Sequence, residues 1–185
     1  MTRLWLIRHG PTHAKRMVGW TDLPADLSDR AALVRLEAAL PDAPVISSDL
    51  IRAVATADAV QGHRQRLPHD RRLREFHYGA WEDKAFDEIE SAALRRYFED
   101  PGVHRAPGGE SWNDVSARVA TAVNALDGAK DVIVVAHMGV VLTLWARALG
   151  VRPYRALAQK IDNLSLTRVD WHAQDAWPVW ANRRP

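Results

Sequence analysis

The chain has 185 residues, with 25 Lys plus Arg against 23 Asp plus Glu and no cysteine. That length suits one domain with its own core; the missing cysteine excludes disulfides, a thiolate nucleophile and Cys-ligated metal. A net charge of +2 makes no general electrostatic case for nucleic acid. No apolar run approaches the ~20 residues of a membrane span, and the apolar stretch between Arg3 and Arg8 is too short for a signal-peptide core, so a cytoplasmic protein with no membrane partner is expected.

Leu4-Trp5-Leu6-Ile7 is a β-forming run that breaks into Arg8-His9-Gly10-Pro11-Thr12. Gly and Pro cannot prolong a central strand, so Arg8 and His9 are delivered at a strand's carboxyl end, where open α/β sheets bind ligands. A guanidinium can hold two phosphate oxygens, and a neutral imidazole nitrogen can attack phosphorus. Gly10 is expected to let the backbone approach a bound anion. Alone, the same tripeptide also fits an ordinary solvated strand end.

Residues 10–27 read as an irregular loop with Gly10, Pro11, Gly19 and Pro24. Ser28 is the expected N-cap of a helix carrying Ala32, Leu33, Leu36 and Leu40, which Pro41 stops. Pro44 to Ser48 reads as a short strand. Asp49 to Val60 reads as a helix with Leu50, Val54, Ala57 and Val60 on its buried side. Arg52 falls in its first turn, where a cation opposes the macrodipole unless it binds an anion.

The basic cluster of Arg64, Arg66, Arg71, Arg72 and Arg74 lacks the interleaved aromatics of a single-strand groove and reads as a solvated face. Glu75 lies between basic and apolar neighbours, a setting that can tune a carboxyl in either direction. Residues 83–99 read as helical, followed by a Pro- and Gly-containing loop to Gly109. Ser111 with Asp114 marks the start of a helix over 112–126. Asp131 to Ala136 is a continuous apolar strand of the kind parallel sheets bury. His137 then stands at a strand end and a helix N-terminus together, a ready anion site, and the helix runs to about Gly150. Ser165 to Val169 and Val179 to Ala181 read as one or two edge strands.

With these segments assembled, the chain resembles the histidine phosphatase superfamily, also called the phosphoglycerate mutase-like family. Leu6 to Thr12 stands where that family has its nucleophile motif, Ser47 to Ala57 matches the segment of the second arginine, and Leu73 to Glu82 the segment of the acid. Pro107-Gly108-Gly109-Glu110-Ser111 matches the loop of members with a helical insertion, and Val134 to Gly139 the second-histidine strand. The resemblance covers nearly the whole chain. It implies a single α/β domain over 1–185, a three-layer α/β/α sandwich with a mainly parallel central sheet and a helical insertion at about 76–112.

The resemblance further implies a phosphoric monoester hydrolase of the histidine acid phosphatase type, working through a phosphohistidine with no cofactor and no metal. His9 would be the nucleophile. Arg8, Arg52 and His137 would hold the phosphoryl oxygens, and Glu75 would protonate the leaving oxygen. Gly10, Thr12, Lys15 and Met138 are expected near the phosphate, and Tyr78 and Trp112 are the aromatics expected to face the pocket. The expected partner is a small phosphomonoester, with a homodimer left open and no nucleic acid.

Three positions depart from the family pattern: Pro11 where Glu is most common, Lys15 where many members have Asn, and Met138 where Gly is common. Two other readings use the same residues. A phosphoglycerate mutase would keep water from the phosphohistidine, and a silent phospho-ligand-binding domain would be expected to have lost one of Arg8, His9, Arg52 or His137. A metal-dependent hydrolase finds no convincing ligand spacing among the eight histidines.

Overall fold

The computed structural model describes residues 1–126, 128–173 and 175–185. Its centre is a five-stranded sheet in the order β2-β3-β1-β4-β5. The strands are β1 (Thr2–Arg8), β2 (Val45–Ser47), β3 (Asp131–Ala136), β4 (Leu166–Trp171) and β5 (Ala176–Arg183). The alternation of side chains along a strand divides the core into two faces. Leu4, Leu6, Val132 and Val134 meet α4 (Trp112–Asn124) and α5 (Met138–Leu149) on one side. Ile7, Val45, Ile133 and Val135 meet α1 (Arg30–Ala38) and α2 (Ile51–Val60) on the other. The result is the expected three-layer α/β/α arrangement.

The sheet is mixed, where the sequence suggested a mainly parallel one. β2, β3 and β1 are parallel, but β4 runs antiparallel to β1 and β5 antiparallel to β4. Parallel neighbours need crossovers of a dozen or more residues, which the helices provide on the β2–β3–β1 side. Chain entering at the carboxyl end of β1, where Leu164 N–H donates to the Arg8 carbonyl, can only descend as an antiparallel strand. A short connection then returns it as β5. β4 is therefore an interior strand, and only β5 forms this edge.

Local signals place most helices. Asp29, rather than Ser28, caps α1 by accepting from Ala32 N–H, and Ser111 and Asp114 close a reciprocal capping box at α4. The expected helix over 83–99 is shorter: a single 3-10 turn at Phe86–Glu88 precedes α3 (Ser91–Glu99), which begins where the Glu90 carboxylate accepts from Ala92 and Ala93 N–H. The buried side of α2 carries Arg52, Ala53, Thr56, Ala57 and Val60. Of the expected Leu50, Val54, Ala57 and Val60, Val54 is half-buried and the other three are buried; the stripe also takes in Arg52 and Thr56, four apart on one face, which apolar spacing does not select. A last short helix, α6 (Pro153–Ala156), leads towards β4.

Candidate active site

The parallel register of β1 and β3 pairs Arg8 with Ala136, so the residue following each, His9 and His137, emerges beside the other. Their ring centroids lie 5.0 Å apart at 61°. His9 Nδ1 is 2.6 Å from the Gly10 carbonyl. A carbonyl can only accept, so the proton sits on Nδ1 and the Nε2 lone pair is free. Burial, then the charges of Arg52 and Arg8, pushes the His9 pKa down to about 3 although its bond to Gly10 opposes this. The ring is therefore a neutral nucleophile-competent imidazole at ordinary pH.

His137 is fully buried at the N-terminus of α5, and neither ring nitrogen has a hydrogen-bond partner. Burial, followed by His9 and Arg52, holds it well below the usual imidazole range. Arg52 is also buried, 1% exposed; its Nη1 and Nη2 donate to the carbonyls of Thr21 at 2.9 Å and Gly19 at 2.5 Å. Arg8 Nη1 donates to the Ile161 carbonyl, while its buried Nε has no partner. Desolvation lowers both guanidinium pKa values and the Glu75 carboxylate raises them; guanidinium groups remain charged throughout.

Glu75 is buried against the start of α5. Both carboxylate oxygens lie 3.1 Å from Gly139 N–H, and one also accepts from Phe76 N–H at 3.0 Å. A Cβ at position 139 would strike that carboxylate and the Phe76 ring, which is why the residue after Met138 is glycine. Behind Glu75, Arg118 donates to the carbonyls of Arg72, Arg74 and Glu75 while bonding both oxygens of Glu110 at 2.7 and 2.8 Å. Thr56 Oγ1 accepts from Gly10 N–H and donates to the Arg52 carbonyl, and Asn163 donates to the His9 carbonyl. The sequence gives no role to Arg118, Thr56 or Asn163, each of which reaches the site through a partner 43 or more residues away: Glu75, Gly10 and His9 respectively.

Arg8, His9, Arg52 and Glu75 converge on a cavity of about 290 Å³, with Thr12 and Arg16 at one rim and Tyr78 and Met138 at another. His137 lies beneath the His9 ring rather than on the cavity surface. Lys15 is exposed and outside the lining, and Arg16 is the rim cation in its place. Trp112 lines instead a neighbouring apolar recess with Tyr97 and Leu142, which shares Tyr78, Phe98 and Met138 with the main cavity. Gly10 is absent from the lining too. A side chain there would meet Leu27 and the Asp26 carbonyl, so its glycine serves packing rather than anion approach.

A larger cavity of about 640 Å³ lies between α1 and residues 162–164. Its carboxylates are already engaged, Asp26 by Ser28 N–H, Asp29 by Ala32 N–H and Asp162 by Lys160, and no histidine lines it. The smaller cavity is the one that gathers Arg8, His9, Arg52 and Glu75. Among the described residues no group of three or more His, Cys, Asp or Glu side chains is placed to hold a metal ion, and no helix is long and apolar enough to cross a membrane.

Two neutral imidazoles at the carboxyl ends of adjacent parallel strands, beside the guanidinium groups of Arg8 at one of those ends and Arg52 in α2, suit a protein that handles phosphoryl groups. The chain belongs to the histidine phosphatase superfamily (branch 1), whose profile matches residues 4–183. It is 30% identical over 191 residues to the "Probable phosphoglycerate mutase GpmB" of Serratia proteamaculans, spanning 96% of this chain and 88% of that one. It is 34% identical over 169 residues to the glucosyl-3-phosphoglycerate phosphatase of Mycolicibacterium vanbaalenii, spanning 80% of this chain and 75% of that one. Among solved structures it is similar to Bacillus stearothermophilus YhfR, with a TM-score of 0.86 at 29% identity over 97% of this chain and 96% of that one.

Proposed function

We propose that the chain hydrolyses a small phosphomonoester through a phosphohistidine at His9, without a metal. The observation that carries this reading is the His9 ring, whose Nδ1 proton is held by the Gly10 carbonyl, leaving Nε2 unprotonated, and which lines a cavity shared with Arg8, Arg52 and Glu75. The Nε2 lone pair attacks phosphorus as the bond to the leaving oxygen breaks, and Glu75 delivers a proton to that oxygen. Arg8 and Arg52, which line the cavity, stabilise charge on the equatorial oxygens, while His137, off the cavity surface, packs edge-on against the His9 ring. Water then attacks the phosphorus, Glu75 takes its proton, the N–P bond breaks and inorganic phosphate leaves.

The rest of the cavity supports a leaving group with apolar surface. Beyond the phosphate ligands the lining includes Met17, Val18, Tyr78, Phe86, Phe98 and Met138 against one further cation, Arg16. A mutase would have to shelter the phosphohistidine from water. Here Ala14 and Arg16 at the rim are exposed, and Phe86 is 53% exposed, which favours hydrolysis. A panel of phosphomonoesters, assayed with and without a chelator, tests the reading. Release of inorganic phosphate at equal rates in both conditions is expected. Chelator-sensitive activity rescued by a divalent ion, or isomerisation of phosphoglycerate with negligible phosphate release, would refute it.

A further inference from the structure

We propose that Glu82 is a positioning residue that aims the Arg52 guanidinium at the substrate by gripping the loop at residues 19–21; this rests on Arg52 being a phosphoryl ligand. The Glu82 carboxylate accepts five hydrogen bonds. One oxygen takes Trp20 N–H at 2.7 Å and Tyr78 N–H at 3.0 Å; the other takes Gly19 N–H and Thr21 N–H, both at 3.1 Å, and the Thr21 hydroxyl at 2.6 Å. Three consecutive backbone N–H groups thus converge on one carboxylate from 61 to 63 residues away in sequence.

The carbonyls of that loop face Arg52. Gly19 and Thr21, both gripped through their N–H groups, offer their oxygens to Arg52 Nη2 and Nη1. Among the described residues no carboxylate forms an ion pair with Arg52 within 4.0 Å, so its direction depends on these two neutral acceptors, leaving its other donors for the cavity it lines. Trp20, between them, donates Nε1–H to the Glu75 carbonyl at 2.8 Å. Gly19 shows how close the approach is, since a Cβ there would strike the Phe76 carbonyl and the Glu82 carboxylate.

Glu82 is outside the cavity lining and all its acceptor directions are engaged, so it has no route to the leaving oxygen and is not an alternative acid to Glu75. Burial acts to raise its carboxyl pKa, but the Thr21 hydroxyl and the N–H groups of Trp20, Tyr78 and Thr21 outweigh this and hold it below the usual range. An uncharged amide would turn its own NH₂ towards N–H donors and release part of the loop.

The test is a double-mutant cycle of Glu82→Gln and Arg52→Ala, read by calorimetric binding of inorganic phosphate and by kcat/KM on nitrophenyl phosphate. Glu82→Gln should weaken phosphate binding about tenfold, the scale of a lost hydrogen bond to a charged group. In the Arg52→Ala background the same substitution should cost nothing further, which a merely structural role does not predict because independent effects add. Thr21→Val, which removes only the hydroxyl donor, repeats the cycle should Glu82→Gln fail to fold; a smaller loss that vanishes without Arg52 is expected. Unchanged phosphate binding in a folded Glu82→Gln or Thr21→Val variant, or a loss repeated in full beside Arg52→Ala, overturns the inference alone. Unchanged binding in Arg52→Ala overturns the functional reading of Arg52 and this inference with it.

Discussion

Two buried neutral histidines side by side make the fold acid-labile, by an amount that follows from their burial. His9 is 7% exposed and His137 fully buried, and both are held far below the ordinary imidazole pKa, His9 at about 3. In the unfolded chain each takes a proton near the ordinary value of about 6.5, whereas in the folded chain neither does until much lower pH. The unfolded state therefore binds more protons across this window, and stability falls as pH drops below about 6.5. At pH 5, about 1.5 units below the ordinary value and at about 1.36 kcal/mol per unit, His9 costs about 2 kcal/mol, a sizeable share of a typical total of about 5–15 kcal/mol, and His137 acts in the same direction. Urea unfolding at pH 7.5 and 5.0 measures this directly. His9→Asn, whose amide can still donate to the Gly10 carbonyl, should recover about 2 kcal/mol of the acid loss, and His137→Gln should reduce the loss in the same direction. A doubly substituted protein with the parent's pH dependence would show that the two rings titrate normally in the fold and that the neutral-imidazole argument is wrong.

The chemistry makes further predictions. Rapid-quench labelling should find acid-labile phosphate on His9 and none in His9→Ala, while His137→Ala still labels slowly; label on His137 would reverse the assignment. Glu75→Gln, which can keep the bonds from Phe76 and Gly139 N–H through its amide oxygen, should lose about 10²–10⁴-fold on an alkyl phosphate and far less on a nitrophenyl ester. Equal losses on the two esters would make Glu75 structural. Tyr78→Ala should reorder substrate preference across a monoester panel without abolishing phosphohistidine formation, and Trp112→Ala, one step removed in the apolar recess, should do so less; an unchanged ranking in both would move the selector to the rim at residues 12–18.

The fold and the centre of the site were legible wherever a local rule and a functional break coincided. An apolar run ended by Gly and Pro marked β1 and delivered Arg8 and His9, and a continuous apolar run marked β3 and His137. Both are properties of a few consecutive residues. The antiparallel half of the sheet was not legible in this way, because the direction of β4 depends on where residues 157–165 bring the chain back. The polar part of the buried side of α2 was not legible for a different reason. Apolar spacing selects the face that water avoids in an ordinary helix, whereas here Arg52 and Thr56 also turn inward, Thr56 to hold Gly10 beside His9 and Arg52 to meet the loop above it.

That exception bears on how the site is built. Of the groups facing the cavity, only His9 and Arg8 come with the strand that positions them; Arg52 and Glu75 are aimed by hydrogen bonds to main-chain carbonyls and N–H groups of distant segments. Carbonyls can orient a guanidinium without neutralising it, as a carboxylate partner would, so Arg52 keeps its full charge for a phosphoryl dianion. The neutralising carboxylates are placed one step back. Glu82 grips the loop whose carbonyls hold Arg52, and Glu110 grips Arg118, which holds the main chain of Glu75. Charge is thereby kept in the cavity while geometry is enforced from outside it. Glu82 and Glu110 both fall in segments that match the family, but the partners they hold, residues 19–21 and Arg118, lie outside those segments, so neither segment alone shows what its carboxylate does.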